Sequence, residues 1–389
     1  MPARNPGLDL LRALAILWVM AFHAATMGFA VPGGALRAIA LDGWMGVDLF
    51  FALSGYLIGT PLLRAWQRGS GPSLAAFWWR RAWRVLPAYW VVLGVYALWP
   101  AAREQDFLDP LLRFLTFTLN LGFVDCSQGR AFSHAWSLCV EEHFYLLLPL
   151  LAALTTRLRA GPRAVVAALL GAVALGIALR TGTWLWALAP LPRIDEAGGF
   201  GPKWLEWLYY PSWCRLDGLV AGVALAAVQV HRPAAWAALS RHTVTLLAAG
   251  AMGLAGAAAL FTDRTGLAAS AVGYPLLDLS LAAFVAAAAA CPPHALRCWR
   301  VPGAAAVAQV SYSLYLSHKI AFHAARALFG DGAGAASRPG TPALSLAAAA
   351  LAAVLGTALY LAVERPGLRL RERWRPSRTV TPAGREVPS

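Results

Sequence analysis

Charge is scarce in this sequence. Only 13% of the 389 residues are Asp, Glu, Lys or Arg, while 59% are hydrophobic. Soluble domains carry roughly 25% charged residues, so a water-exposed globular surface is excluded along most of the chain. Cysteine is also sparse. Cys126, Cys139, Cys214, Cys291 and Cys298 form no CxxC pair and no metal-ligand spacing, which argues against zinc and against a disulfide framework. Of the five, Cys126 alone falls in a segment expected to lie outside, with no obvious external partner. No solenoid period and no second, soluble domain is visible. No recognition helix, aromatic ladder or finger spacing accompanies the positive charge, so nucleic acid is not the expected partner, although the net charge is +14 and the pI about 10.3.

What is present in abundance is apolar helix. Mean hydropathy is +0.56, and apolar runs of about 18 to 24 residues recur, long enough to cross ~30 Å of hydrocarbon. The 17 tryptophans suit the interfacial belt of a bilayer. The expected fold is all-α, a polytopic transmembrane bundle of about ten spans. They begin near Leu8, Trp44, Ala82, Leu138, Ala164, Ser212, Thr243, Leu267, Ala304 and Ala343. The stretch from Leu111 to Val124 is too short to span and reads as an external or re-entrant helix. The first run, Leu8 to Ala30, follows Arg4 as a signal peptide would. It is too long for that, however, and it holds Asp9, Arg12 and His23.

With the N-terminus inside, the inner segments hold roughly 21 of the 33 basic residues and the outer loops about 8, the positive-inside bias. Both termini are therefore expected in the cytoplasm. Residues 1–368 read as one transmembrane domain. Residues 369–389 read as a basic tail, disordered and lying against anionic lipid.

Ionisable residues at membrane depth are costly and mark function by default. Arg12 and His23 are eleven residues apart. Eleven residues turn an α-helix by about 1,100°, three turns plus some 20°, so the two share a face about 16.5 Å apart. Arg12 alone also admits a snorkelling role, and His23 a hydrogen bond to a neighbouring helix. The second span opens Gly46-Val47-Asp48-Leu49-Phe50-Phe51-Ala52-Leu53-Ser54-Gly55-Tyr56. Asp48 could orient a histidine or a substrate hydroxyl, and Ser54-Gly55 would let a helix or ligand come close. In Phe77-Trp78-Trp79-Arg80-Arg81-Ala82-Trp83-Arg84 the i, i+3 pair Arg81 and Arg84 could clamp phosphates, or simply anchor the chain at the interface. His134-Ala135-Trp136-Ser137-Leu138-Cys139-Val140-Glu141-Glu142-His143-Phe144-Tyr145 places Ser137, Glu141 and Tyr145 in one polar stripe. Arg215 and Asp217 enter the membrane together and could pair with each other. Ser311, Tyr315 and His318 share a face of the ninth span, and the last span ends Glu364-Arg365-Pro366.

In this order the segments resemble the membrane-bound acyltransferase family usually called acyltransferase family 3, from Leu8-Asp9-Leu10-Leu11-Arg12 to Glu364-Arg365-Pro366. The resemblance implies an integral membrane O-acyltransferase, and the high Ala, Gly and Arg content points to a GC-rich genome and hence to a bacterial inner (plasma) membrane. Such an enzyme moves an acyl group, often acetyl, from cytoplasmic acyl-CoA to a hydroxyl of a carbohydrate or glycosylated acceptor. Acyl-CoA is then a co-substrate, with no tightly bound cofactor and no metal. By motif the residues carried over are Arg12, His23, Asp48, Ser54, Arg81, Arg84 and Glu141. His143 stands where a glutamine is common, which leaves its role open. The sequence ends soon after the tenth span, so the hydrolase-like domain fused to some relatives is not expected here, and acceptors that need it are in doubt.

On this reading Arg12, Arg81 and Arg84 hold the nucleotide end of acyl-CoA and His23 meets the thioester deeper in the membrane. His23 is the general base, because imidazole changes protonation near neutral pH. Asp48 or Glu141 orients it, as the acid does in hydrolytic triads. An acyl-histidine or acyl-Ser54 stage stays open, and Tyr145, Arg215, Asp217 and His318 are further candidates. The competing class is a secondary transporter or flippase, which would predict two related halves with interrupted helices; no such halves are visible.

Overall fold

The computed structural model of the protein describes residues 4–68, 73–121, 126, 128–193, 199–292, 295–330 and 340–373. Its regular elements are helices. Among the described residues, strand-like pairing is limited to a single bridge between Phe107 and Arg130. The principal helices are α1 (Pro6–Thr26), α2 (Met45–Gln67), α3 (Leu74–Leu98), α4 (Trp136–Arg157), α5 (Pro162–Thr183), α6 (Asp217–His231), α7 (Thr243–Leu260), α8 (Tyr274–Ala290), α9 (Ala304–Phe329) and α10 (Pro342–Leu359). The last continues through a π turn, Tyr360–Glu364, into Arg365–Arg373.

By length and composition seven of the helical stretches can cross a membrane, or eight if α6 and the Pro233–Arg241 helix, bent 110° apart, count as one span. Helices α3 and α9 are as long but carry arginines and a His-Lys pair, and they fall outside that measure. In α2 and α8 the apolar window is 67% and 72% buried, whereas in α5 it is only 11% buried. The first two are therefore the centre of the bundle and the third is rim. The rim exposes Leu170, Leu175, Met252 and Val354, the apolar face that hydrocarbon, and not water, accepts.

Local chemistry starts α1 where the sequence places it. The Asn5 side chain accepts from the N–H groups of Gly7 and Leu8, and Pro6 needs no donor at the first turn. Helix α2 packs most closely on α6. A Cβ on Gly55 would lie 2.2 Å from the Leu219 carbonyl oxygen, and one on Gly222 would lie 2.2 Å from that of Ala52. The two backbones touch there because neither residue has a side chain.

Several sequence expectations shift. The third span starts at Leu74, capped by the Ser73 hydroxyl, and not near Ala82. Arg80, Arg81 and Arg84 thus sit on a helix instead of in a loop. The indole of Trp78 donates to the Tyr145 carbonyl (3.2 Å) and helps tie this first part of α3 to α4. The sixth span begins at Asp217, after a tight turn over Ser212–Cys214. The short helix beyond Leu111 ends at Leu115, and residues 122–124 of that expectation lie outside the described residues. Residues 369–373 of the expected disordered tail are helical, continuing α10; residues 374–389 lie outside the described residues.

Candidate active site

Two polar centres share the inner faces of α1, α2, α3, α4 and α9. The first is a cleft with a cavity volume of about 100 Å³, lined among others by Arg12, Ser54, Arg81, Arg84, Glu141 and Tyr315. The three arginines singled out in the sequence therefore do converge, from α1 and α3, but they differ in how they are engaged. Arg81 bridges Glu141 (2.9 Å) and Glu142 (3.1 Å) and lies 3.8 Å above the Tyr145 ring. Glu141 also accepts from the Tyr145 hydroxyl (2.9 Å) and the Ser54 hydroxyl (3.3 Å). Arg84 reaches Glu364 at 3.6 Å, and Glu364 accepts from Ser313 at 2.7 Å. Arg12 has no carboxylate within ion-pair distance among the described residues, which leaves its guanidinium available to an anion.

The second centre is a cluster of three histidines at the far end of the α1 face. His23 Nδ1 lies 2.9 Å from His318 Nε2. His318 Nδ1 lies 2.8 Å from the Tyr315 carbonyl oxygen and 3.2 Å from that of Leu314. A carbonyl only accepts, so His318 carries its proton on Nδ1 and its Nε2 is an acceptor. His23 must then donate through Nδ1, which leaves its Nε2 as a lone pair. The tautomer of His23 thus follows from a carbonyl on α9. The third ring, His134, stands 5.0 Å from His318 and 6.1 Å from His23 between ring centres.

Tyr315 adjoins both centres. It lines the cleft, its hydroxyl lies 2.5 Å from Ser137 Oγ and donates to the His134 carbonyl oxygen at 2.9 Å, and its ring is 5.9 Å from that of His318.

The remaining expected residues lie elsewhere or in other roles. Asp48 does not orient His23: its carboxylate accepts from Arg215 at 2.7 Å, both groups buried, with the Arg215 guanidinium 4.1 Å from the Tyr274 ring. Arg215 and Asp217 do not pair with each other, because Asp217 is taken by Arg180 at 2.6 Å. Glu141 belongs to the cleft, and Ser54 bonds Glu141 and not a histidine. His143 meets Ser212 at 2.7 Å, and Asn120 donates to the same hydroxyl at 2.8 Å, which gives the open position a link between α4 and the loop before α6. The partner of His23 is His318, named in the sequence only as a further candidate. His134 was not singled out, although it lies three residues before Ser137 in a segment already picked out for its polar stripe. No group of three or more His, Cys, Asp or Glu among the described residues is arranged to hold a metal ion.

Residues 5–363 match the family model described as an acyltransferase domain. Among curated proteins, the chain is 30% identical over 236 residues to a peptidoglycan O-acetyltransferase of Listeria monocytogenes, covering 57% of this chain and 34% of that protein. It is 31% identical over 157 residues to a putative peptidoglycan O-acetyltransferase of Bacillus subtilis, covering 37% of this chain and 23% of the relative. A putative O-acetyltransferase of Staphylococcus aureus strain COL is likewise 31% identical over 157 residues, 38% of this chain and 24% of the relative. The chain thus spans about a third or less of the length of these relatives. No solved structure matches.

Proposed function

This chain belongs to the acyltransferase domain family, and from that premise we propose that it is an integral membrane O-acyltransferase moving an acyl group, acetyl by preference, from cytoplasmic acyl-CoA to a hydroxyl of a surface glycan. The relatives' names point to peptidoglycan as an acceptor for those proteins, and a carbohydrate acceptor is the reading carried over here. The excess of basic residues in alternate segments supports a plasma-membrane protein with both termini in the cytoplasm.

The observation that carries the mechanism is the hydrogen bond from His23 to His318. It leaves His23 with an uncommitted Nε2 lone pair, the requirement for a general base toward a hydroxyl. His318 takes the place expected for Asp48 or Glu141: it fixes the tautomer and ring orientation of His23, as the acid does in hydrolytic triads. At the other centre, Arg12 and Arg84 present guanidinium groups that the phosphates of a nucleotide would pair with, and Arg12 would give up no internal partner to do so. Arg81, already held by two glutamates, acts more as the fixed wall of this cleft than as a free clamp. The cleft and His23 are separated by about 16.5 Å of helix rise between Arg12 and His23. That span suits a donor whose phosphates stay at one end while its thioester reaches the other. Tyr315 and Ser137 stand where the two centres meet, so their hydroxyl contact has to part for the acyl group to pass.

The test is direct. Membranes containing the protein are incubated with acetyl-CoA labelled in the acetyl group, and label is followed into base-labile ester on the glycan fraction. Wild type is expected to transfer, and His23→Ala to bind acetyl-CoA but transfer at least about 10²-fold more slowly. Turnover close to wild type in His23→Ala would remove the base assignment, and an absence of label in wild type would remove the acyl-CoA donor.

A further inference from the structure

Of the three imidazoles in the cluster, two have spent their N–H groups. His318 Nδ1–H is given to backbone carbonyls, and His23 Nδ1–H to His318 Nε2. His134 is different. It is 2% exposed, and both Nδ1 and Nε2 are buried with no hydrogen-bond partner among the described residues. The backbone of Leu316 and Tyr315 lies beside the ring, but neither ring nitrogen makes a contact that meets hydrogen-bond geometry. A neutral imidazole carries one N–H whichever tautomer it adopts, so in either tautomer this donor is unspent. Burying such a group without a partner costs free energy, and the surrounding chain does not relieve it.

The chain instead holds His134 in place from both sides. The preceding Phe132 adopts φ +55°, left-handed backbone that a bulky side chain rarely takes. It is retained because its ring stacks on Tyr96 (4.6 Å) and Phe114 (5.5 Å) and its N–H donates to Glu104 at 3.1 Å. Lys319, next to His318, holds Ser133 at 2.9 Å and is 3.5 Å from Glu104. On the other side Tyr315 donates to the His134 carbonyl. Strained backbone kept by its surroundings is a mark of functional sites, and here it fixes the main chain while leaving the ring unpaired.

Resting on the reading in the preceding subsection, we infer that His134 is a catalytic residue whose N–H donates to the acyl carbonyl oxygen as that oxygen becomes an oxyanion. The acceptor hydroxyl oxygen attacks the thioester carbonyl carbon, and the π pair moves onto the carbonyl oxygen facing His134. The hydroxyl proton passes to His23 Nε2. When the tetrahedral stage collapses, the C–S bond breaks, its pair leaves on sulfur, and the His23 proton goes to that sulfur. The products are an ester and a free thiol, and no oxidant or further reactant is needed. With the other two N–H groups committed, His134 supplies the donor that the oxyanion requires.

The test compares His134→Gln, which keeps an N–H donor, with His134→Leu, which does not. The protein in nanodiscs is followed by thiol release from acetyl-CoA. His134→Leu is expected to lose kcat by about 10²–10³-fold with the acetyl-CoA KM unchanged, and His134→Gln to recover tenfold or more over it. Wild-type kcat in His134→Leu, equal impairment of the two variants, or a loss confined to KM each overturns the inference. Should His134→Leu fail to fold, His134→Met replaces it under the same criteria. His23→Ala and wild type are run beside them. Turnover close to wild type in His23→Ala, or none in wild type, brings down the underlying reading. Loss in His23→Ala together with full activity in the His134 donor-free variant brings down only the oxyanion role.

Discussion

The bundle contains two buried polar clusters built on opposite principles. Around Asp48 acidic and basic groups answer one another across helices: Asp48 with Arg215, Asp217 with Arg180, on α2, α5, α6 and the turn before it. Around His23 the groups are neutral rings in a chain of hydrogen bonds that stops short, with a lone pair on His23 and an unspent N–H on His134. Both clusters were equally conspicuous as ionisable residues in apolar runs. The difference teaches that a buried charge held by its counter-charge ties helices together even where single atoms such as Asp48 Oδ2 and Arg215 Nη1 stay unpaired, while a neutral ring with no counter-charge keeps its lone pair or donor for another group.

That contrast can be broken experimentally, starting where the effect is greatest. His23→Ala should lower kcat for acyl transfer by roughly 10²–10⁴-fold while thermal unfolding of the purified protein in detergent stays close to wild type. A large fall in unfolding temperature would place His23 with the structural cluster instead. Asp48→Ala should do the reverse. Leaving Arg215 buried without its partner costs about 3–5 kcal/mol, read as a loss of thermal stability, and the double variant Asp48→Leu with Arg215→Leu should regain part of it. If the single variant loses activity with its stability intact, Asp48 belongs to the chemistry after all.

His318→Leu probes the link that orients His23. Because His23 keeps its lone pair but loses its fixed ring, kcat should fall by roughly 10–100-fold with an unchanged acetyl-CoA KM. A shift in KM alone would contradict a positioning role. The smallest effect is expected at the cleft. Arg12→Ala removes a charge-assisted contact worth about 1.5–3 kcal/mol, so the apparent affinity for acetyl-CoA should weaken about 10–100-fold with kcat preserved. Arg81→Ala, which also strips two glutamates of their partner, should combine weaker binding with lower thermal stability. Equal affinity in wild type and Arg12→Ala would dissociate the cleft from the donor.

Much of this was legible in the chain. Apolar runs of spanning length and the positions of Pro and Gly mark most helices, and the eleven-residue spacing puts Arg12 and His23 on one face by turn arithmetic alone. Helix ends were less legible. The start of α3 reads as a loop because Trp and Arg cluster at residues 78–84, and the segment is tied down by contacts with Tyr145, Glu141 and Glu142 on α4. The orienting partner of His23 was misplaced for a similar reason. Asp48 is chemically the better orienter, yet a nearby guanidinium takes it first, since an ion pair in a medium of low polarity outweighs a hydrogen bond to a neutral ring.

Taken alone, the sequence determined what each helix must bury and which face carries its polar groups, because those follow from periodicity and from the cost of exposing backbone to hydrocarbon. It also determined, through the ordered motifs, the family to which the chain belongs. Only the tertiary structure decided which polar group meets which. His23 and His318 are 295 positions apart, and Asp48 and Arg215 are 167. No local rule links residues at such separation; the meeting is set by how the helices pack, as where Gly55 and Gly222 let two backbones touch. That packing ties up Arg81 and leaves Arg12 unpaired, and it satisfies His318 while His134 keeps a donor to give.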